Sequence, residues 1–234
     1  MSSLPPGAPP PAPPATPPPP SQNPLPWEDR DRRGFLQALT DTMGLFISRP
    51  SEAWARARES GDMTSPLLFG LIVGWVSAVA QSVIARIAPV PVMLPGRWGR
   101  SFERMHEYRG GGIAVTAIVA PIAILIALFI GAAILHVCCM LVGALNASTS
   151  GFEGTFRASA YAHVASLANV VPGIGPLVFC VWWIFLAVMG LQRMHKTTQG
   201  KALAAIFIPI VLCCGVVLLV LMVAGAAILS RMSH

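Results

Sequence analysis

The fold this chain predicts is an all-α, polytopic transmembrane helical bundle, and three observations carry that prediction. Of its 234 residues, 54% are hydrophobic and only 11% charged, against roughly 25% charged in soluble proteins. The charges are segregated, with all ten acidic residues between Glu28 and Glu153. The stretches 110–152, 158–192 and 202–230 contain no Asp, Glu, Lys or Arg, whereas a spanning helix needs only about 20 apolar residues. Five spans are expected, at about 66–88, 113–145, 156–171, 176–191 and 202–230. A proline-rich tail (1–26) and amphipathic interfacial helices (27–65) precede them.

Residues 1–26 hold thirteen prolines and no charge. Without an apolar run flanked by basic residues they do not form a secretory signal peptide, and such a segment favours polyproline II over a packed core. It reads as a disordered spacer, or as a ligand for an SH3-like or WW-like partner. In 33–48, Phe35, Leu39, Met43 and Phe46 or Ile47 recur at helical spacing. This is an amphipathic helix too polar to span, suited to the membrane surface or to packing on the bundle. Pro50 ends it. Ser51 then reads as the N-cap of a short helix through Glu59, with Trp54 as an interfacial anchor beside Arg56 and Arg58.

In the first span, Gly70, Gly74 and Ala78 offer a smooth face to a close helix neighbour. Pro89, Pro91 and Pro95 then stop the helix, and Arg97, Arg100, Arg104 and Arg109 make the following connection basic. The second span would extend roughly 50 Å over its 33 residues, with a kink at Pro121. His136 lies one turn from Cys139, but with no carboxylate or second histidine near in sequence it is expected to bond a neighbouring helix and not to hold a metal. The sequon Asn146-Ala-Ser148 abuts a helix end and reads as chance.

The third span, 156–171, reaches only about 24 Å. It either crosses or is re-entrant, with the Pro172-Gly-Ile-Gly-Pro176 turn buried in protein. With five crossings and the N-terminus inside, ten of the 16 basic residues fall on the inner side and six on the outer. Without the third crossing the split is eight to eight, so the positive-inside bias favours five. Trp182 and Trp183 sit mid-helix and are expected to pack in the bundle, and Pro209 bends the last span. All five cysteines lie in apolar segments as fillers, with no disulfide framework.

The net charge of +6 could point to nucleic acid, but the basic residues border apolar runs and do not form a stripe on a soluble domain. No nucleic-acid partner, cofactor or metal is expected. Ser159, Ser166 and His163 share a helix without an orienting acid, so an intramembrane enzyme is not expected either.

The order Gly154-Thr-Phe-Arg157, then Tyr161, then Val-Pro172, then an apolar helix ending at Gly190-Leu191, then Gly200-Lys201-Ala202 resembles the Yip (Ypt-interacting protein) domain family. Arg49-Pro50-Ser-Glu-Ala-Trp54 and Ser65-Pro66-Leu67 agree with it. The resemblance covers roughly 27–230 and implies five transmembrane helices with a cytoplasmic N-terminus. In eukaryotes the family is associated with Rab-type GTPases and with traffic between the endoplasmic reticulum and Golgi. Its Asp-Leu-Tyr-Gly-Pro motif corresponds here to Asp62-Met-Thr-Ser-Pro66, which keeps the ends and loses the centre. That departure is similar to the bacterial branch and puts GTPase binding in doubt. The implied location is a bacterial inner membrane, the alternative a eukaryotic ER or Golgi membrane.

The resemblance marks Asp62, Pro66, Arg157, Tyr161, Pro172, Gly190 and Lys201 as motif residues. Arg157 is placed to cap a helix start at the interface, and Tyr161 to hydrogen-bond across helices. Arg193, Lys196 and Lys201 would face an anionic leaflet at about 1 kcal/mol each, or serve topology alone. The functional expectation is a non-enzymatic membrane scaffold or adaptor, with the lipid bilayer, a protein partner or a second copy of the chain as its partners. The alternative is a small-solute or ion transporter or channel, suggested by the helix break at 172–176.

Overall fold

The computed structural model describes residues 23–87 and 112–232; the proline-rich 1–22 and the basic connection of Arg97 to Arg109 lie outside them. Every regular element among the described residues is helical. A 3₁₀ turn (Pro26–Asp29) and one helical turn (Arg30–Arg33) come first. They are followed by α1 (Phe35–Ser48), α2 (Pro50–Arg56), α3 (Thr64–Ile87) and α4 (Gly112–Leu141). Next comes α5 (Gly151–Ala162), which runs on as a 3₁₀ helix (His163–Val170), and then α6 (Gly175–His195) and α7 (Gln199–Met232).

Three of these, α3, α4 and α6, are long and apolar enough to cross a membrane. Their outward residues, such as Ile118, Ile122 and Ile126 on α4, are exposed and apolar, as a hydrocarbon solvent requires. The expected second span ends earlier than predicted, at Leu141, because the chain turns at Gly143, whose φ of +64° suits glycine. Pro121 and Pro209 both lie inside helices.

The N-terminal segment departs from its sequence reading in three places. Leu25 and Trp27 are fully buried, so the folded chain starts before residue 27. Arg49, at φ −142°, separates α1 from α2, and Pro50 opens α2. Ser51 is therefore not the N-cap: it lies inside the helix at the second position, after Pro50, which suits the first because its missing N–H needs no partner there. Trp54 is only 2% exposed and is a core side chain instead of an interfacial anchor. α1 packs inward through Ala38, Thr42 and Phe46 and leaves Leu36 and Ile47 exposed.

The third segment departs most from prediction. It begins at Gly151, five residues earlier than the expected 156, and its second half is 3₁₀. Twelve α residues and eight 3₁₀ residues extend roughly 18 Å and 16 Å, enough for a core of about 30 Å. The wound-up half is held from α3, where the Ser77 hydroxyl donates to the Ser166 carbonyl and the Gln81 amide to that of Asn169 at 3.4 Å. Such side-chain donors re-satisfy carbonyls that lose helical partners in an apolar surrounding.

Residues 154–162 of α5 are all buried, so this short segment is the centre around which α3, α4 and α6 pack. Gly70 of α3 allows close approach: a Cβ there would stand 3.1 Å from the Ala160 carbonyl oxygen. The small-residue face of α3 thus meets α5. Trp182 and Trp183 are half-buried against the main core.

The ends of the elements also fix a direction. Arg193 and Lys196, at the end of α6, meet Glu59 at 2.7 and 3.6 Å, and Arg157 near the start of α5 meets Glu28. Both contacts involve the N-terminal segment, so α5 starts and α6 finishes at the same end of the bundle. Since α6 starts at the other end, the chain from Arg157 to Gly175 traverses the bundle, and the 172–176 turn lies at its far end, with Pro172 exposed.

Candidate functional site

The principal polar site is a carboxylate held by three elements. Glu28 projects from the opening 3₁₀ turn with its side chain fully buried. Its Oε1 accepts from Arg157 Nη1 at 2.9 Å and from the Tyr161 hydroxyl at 3.0 Å. Its Oε2 accepts the backbone N–H of Arg58 at 3.1 Å. Arg157 and Tyr161 are four apart on α5 and so share a face.

Arg157 continues the network. Its Nη2 donates to the Asp62 carbonyl at 2.6 Å and to Glu153 Oε1 at 2.7 Å. Glu153 also accepts the Asp62 N–H at 3.0 Å. The Asp62 carboxylate caps α3, accepting from the N–H groups of Thr64 at 2.9 Å and Ser65 at 3.2 Å and from the Ser65 hydroxyl. Arg157 Nε remains buried without a partner among the described residues.

Trp27 seats the turn that carries Glu28. Its N–H donates to Thr42 Oγ1 at 2.8 Å and its indole N–H to the Ser65 carbonyl at 2.7 Å, while the Arg30 guanidinium lies 5.2 Å over its ring. Below the ions is an aromatic floor. Phe46 stacks on Tyr161 at 5.6 Å and meets Trp54 edge-on at 5.0 Å, and Phe69 lies 5.2 Å from Tyr161. Gly190 of α6 closes the floor, because a Cβ there would come within 2.7 Å of the Trp54 ring.

The carboxylates differ by environment. Burial pushes Glu28 above the ordinary carboxylate range, beyond what Arg157, the Arg58 N–H and Tyr161 pull back. Burial also raises Asp62 and Glu153, but it is outweighed there. Ser65 and Thr64 hold Asp62 low, and Arg157 with the Gly61 and Asp62 N–H groups holds Glu153 low. All these groups are spent on one another. The arrangement is a latch that fastens the N-terminal segment to α5, not an open cleft for a reacting molecule.

A second polar chain crosses the bundle. His136 Nδ1 on α4 and His195 Nε2 on α6 each lie 2.8 Å from Thr155 Oγ1 on α5, and His195 Nδ1 lies 2.7 Å from Ser148 Oγ. His136 therefore bonds a neighbouring helix, and no group of three metal-ligating side chains occurs among the described residues.

Of the motif residues read from the sequence, the structure gathers Asp62, Arg157 and Tyr161 in the latch. Pro66 is buried in the first turn of α3 and Gly190 lies against Trp54. Arg157 sits in the core at 0% exposure and pairs with Glu28, and Tyr161 bonds the N-terminal turn instead of another span. Pro172 is remote, at the far end. Arg193 and Lys196 pair with Glu59, and Lys201 Nζ donates to the Gly143 carbonyl at 3.0 Å, so part of each charge is engaged within the protein. Glu28, Trp27 and Glu153 were not singled out. Glu153 carried a signal, an acid four residues before an arginine; Glu28 stands 129 residues from Arg157, beyond any local pattern.

Apolar helices around a central buried segment, with the ion pairs of Glu28, Glu153 and Glu59 at one end, define an integral, multi-pass membrane protein. The Yip1 domain family model matches residues 43–222, and the chain belongs to that family. Arg157 and Tyr161 fall within the matched residues, whereas Glu28 precedes them. Comparison with curated proteins and with solved structures gives no match.

Proposed function

We propose that the protein is a non-enzymatic membrane scaffold or adaptor that presents its N-terminal helices at one face of the bilayer, with that face cytoplasmic. The observation that supports this reading is the latch itself. Its charged groups bind one another and hold α1 on the bundle so that the outward Leu36 and Ile47 stay available beside the exposed Arg32 and Arg49. An amphipathic stripe flanked by arginine suits a membrane surface or a partner helix.

The test uses Leu36→Ser with Ile47→Ser, which leaves the inward face of α1 untouched. Affinity purification in detergent should recover specific partners, or flotation should recover anionic vesicles, with the natural chain and not with the double variant, while thermal stability is unchanged. Equal recovery with both proteins overturns the reading. So does solute flux through liposomes that contain the protein alone, which would favour a transporter.

A further inference from the structure

The outward side of α1 is divided in two. Leu36 is 73% exposed and Ile47 51%, and three turns of helix bring both to the same flank. Round the helix between them and the buried Phe46 lie only Leu39 and Met43, both half-buried against the core, so this flank is apolar from core to surface. The other flank carries Gln37, Asp41 and Ser48, all exposed. An apolar flank beside a polar one suits the boundary between hydrocarbon and water. A partner arriving from water would meet the polar side.

Contacts near its two ends set the tilt and depth of α1. Phe35 lies edge-on to Trp27 at 5.3 Å, and the Trp27 indole bonds the Ser65 carbonyl. Phe46 lies 6.2 Å from Phe69. Ser65 and Phe69 are one turn apart on α3, about 6 Å in depth, whereas Phe35 and Phe46 stand roughly 16 Å apart along α1. The helix therefore crosses the bundle at a shallow angle to the membrane plane. Asp62 is the last charged residue before Arg86, and Ser65 and Phe69 follow it by roughly 4 and 10 Å along the helix. A surface helix buries its apolar face about 5–10 Å into the boundary of headgroups and acyl chains, and α1 lies at that level. Arg32, Arg33 and Arg49 at its ends pair with Asp29 and Glu52, so apolar burial more than charge selects the occupant.

Given that α1 is the element presented at the membrane face, we infer that the flank of Leu36 and Ile47 is an in-plane anchor. Its occupant is the acyl-chain edge of the leaflet in which the protein sits, with Gln37, Asp41 and Ser48 turned to water. For the test, full-length protein with its five cysteines replaced by alanine carries one nitroxide, at Leu36→Cys, Ile47→Cys, Asp41→Cys or Ser48→Cys. It is reconstituted in vesicles of zwitterionic phosphatidylcholine alone. Collisions of the label with oxygen, which partitions into lipid, are compared with those of a water-soluble nickel chelate. The labels at Leu36 and Ile47 should share one depth and be several-fold less accessible to the chelate than those at Asp41 and Ser48. Should the cysteine-free chain fail to fold, a membrane-impermeant maleimide on the same four cysteines in the natural chain decides, with the unsubstituted chain as blank. Asp41→Cys and Ser48→Cys should then react, and Leu36→Cys and Ile47→Cys should not. Equal access at all four positions overturns the anchor, as do depths at Leu36 and Ile47 that differ by the length of helix between them. If that result comes with partner recovery still lost in the double serine variant, the scaffold reading stands on a protein partner. Lipid-buried labels in a chain that recovers no partner uphold the anchor while the adaptor reading fails.

Discussion

At the scale of single residues, the pair Glu28–Arg157 decides how firmly the N-terminal segment is held. Both side chains are fully buried, and removing one partner strands the other charge away from water. Arg157→Ala should therefore destabilise the protein by about 3–5 kcal/mol. Tyr161→Phe removes one donor and leaves the ion pair, so it should cost about 1–2 kcal/mol. Unfolding in mild detergent measures both, and equal losses would mean that the arginine acts by packing alone. The pH dependence has a definite sign. Because the native carboxyl of Glu28 is raised above its ordinary 4.5, the native state holds that proton longer than the unfolded chain does. Its contribution to stability thus falls as pH rises from 4.5 through the native value. Asp62 and Glu153, held low, act the other way: their contribution is present above the ordinary range and disappears as pH falls through their native values. Comparing Glu28→Gln with the natural chain isolates the first effect, and the gap between the two should change with pH above 4.5. A gap that stays constant there would show that Glu28 has no raised native value.

At the scale of elements, sequence patterns were legible where a single helix explains them. Apolar runs located α3, α4, α6 and α7, and the glycines of α3 marked the face that meets α5. The opening of α2 was misread because Ser51 and Pro50 are both good starters, and the chain uses the proline. The α5 segment was harder. No periodicity distinguishes α from 3₁₀ over His163–Val170, whose winding is supported by donors on another helix, Ser77 and Gln81. Trp54 beside two arginines has the composition of an interfacial anchor, and only the approach of α6 at Gly190 makes it core. That contact is testable by Gly190→Ala. The added methyl would come within 2.7 Å of Trp54 and 3.0 Å of the Ala158 Cβ, so α2 or α6 must shift. Thermal unfolding should show a loss of about 1–3 kcal/mol from overpacking. Wild-type stability would mean that the helices separate freely there. The latch itself was half legible. Arg157 and Glu153 are one turn apart, but the partner that matters most sits in a four-residue turn far upstream, beside a proline-rich stretch that gave no reason to expect a core residue.

At the scale of the whole molecule, the ion pairs act as a ruler for topology. Glu28 precedes α3, Arg157 follows α4, and Arg193 and Lys196 stand at the end of α6, yet the three cations all meet the same N-terminal segment. We propose on this basis that two traversals separate Glu28 from Arg157 and two more separate Arg157 from Arg193. The second pair requires the α5 segment to run end to end, which its 3₁₀ half makes long enough to do. After Lys196 the chain enters α7, 34 residues long, and a fifth traversal leaves its last turn at the end away from the latch. On that arrangement the ten basic residues from Arg30 to Lys201 would share one face, which the positive-inside bias would make the cytoplasmic one. Reporter domains fused to the two chain termini should accordingly become active on opposite faces of the membrane. Single cysteines introduced at Glu59 and Gln199 should be labelled from the N-terminal face, and one at Gly173 from the other. Labelling of Gly173 from the same face as Glu59 would mean that the α5 segment dips and returns, and that the latch holds a four-crossing bundle instead of one with five.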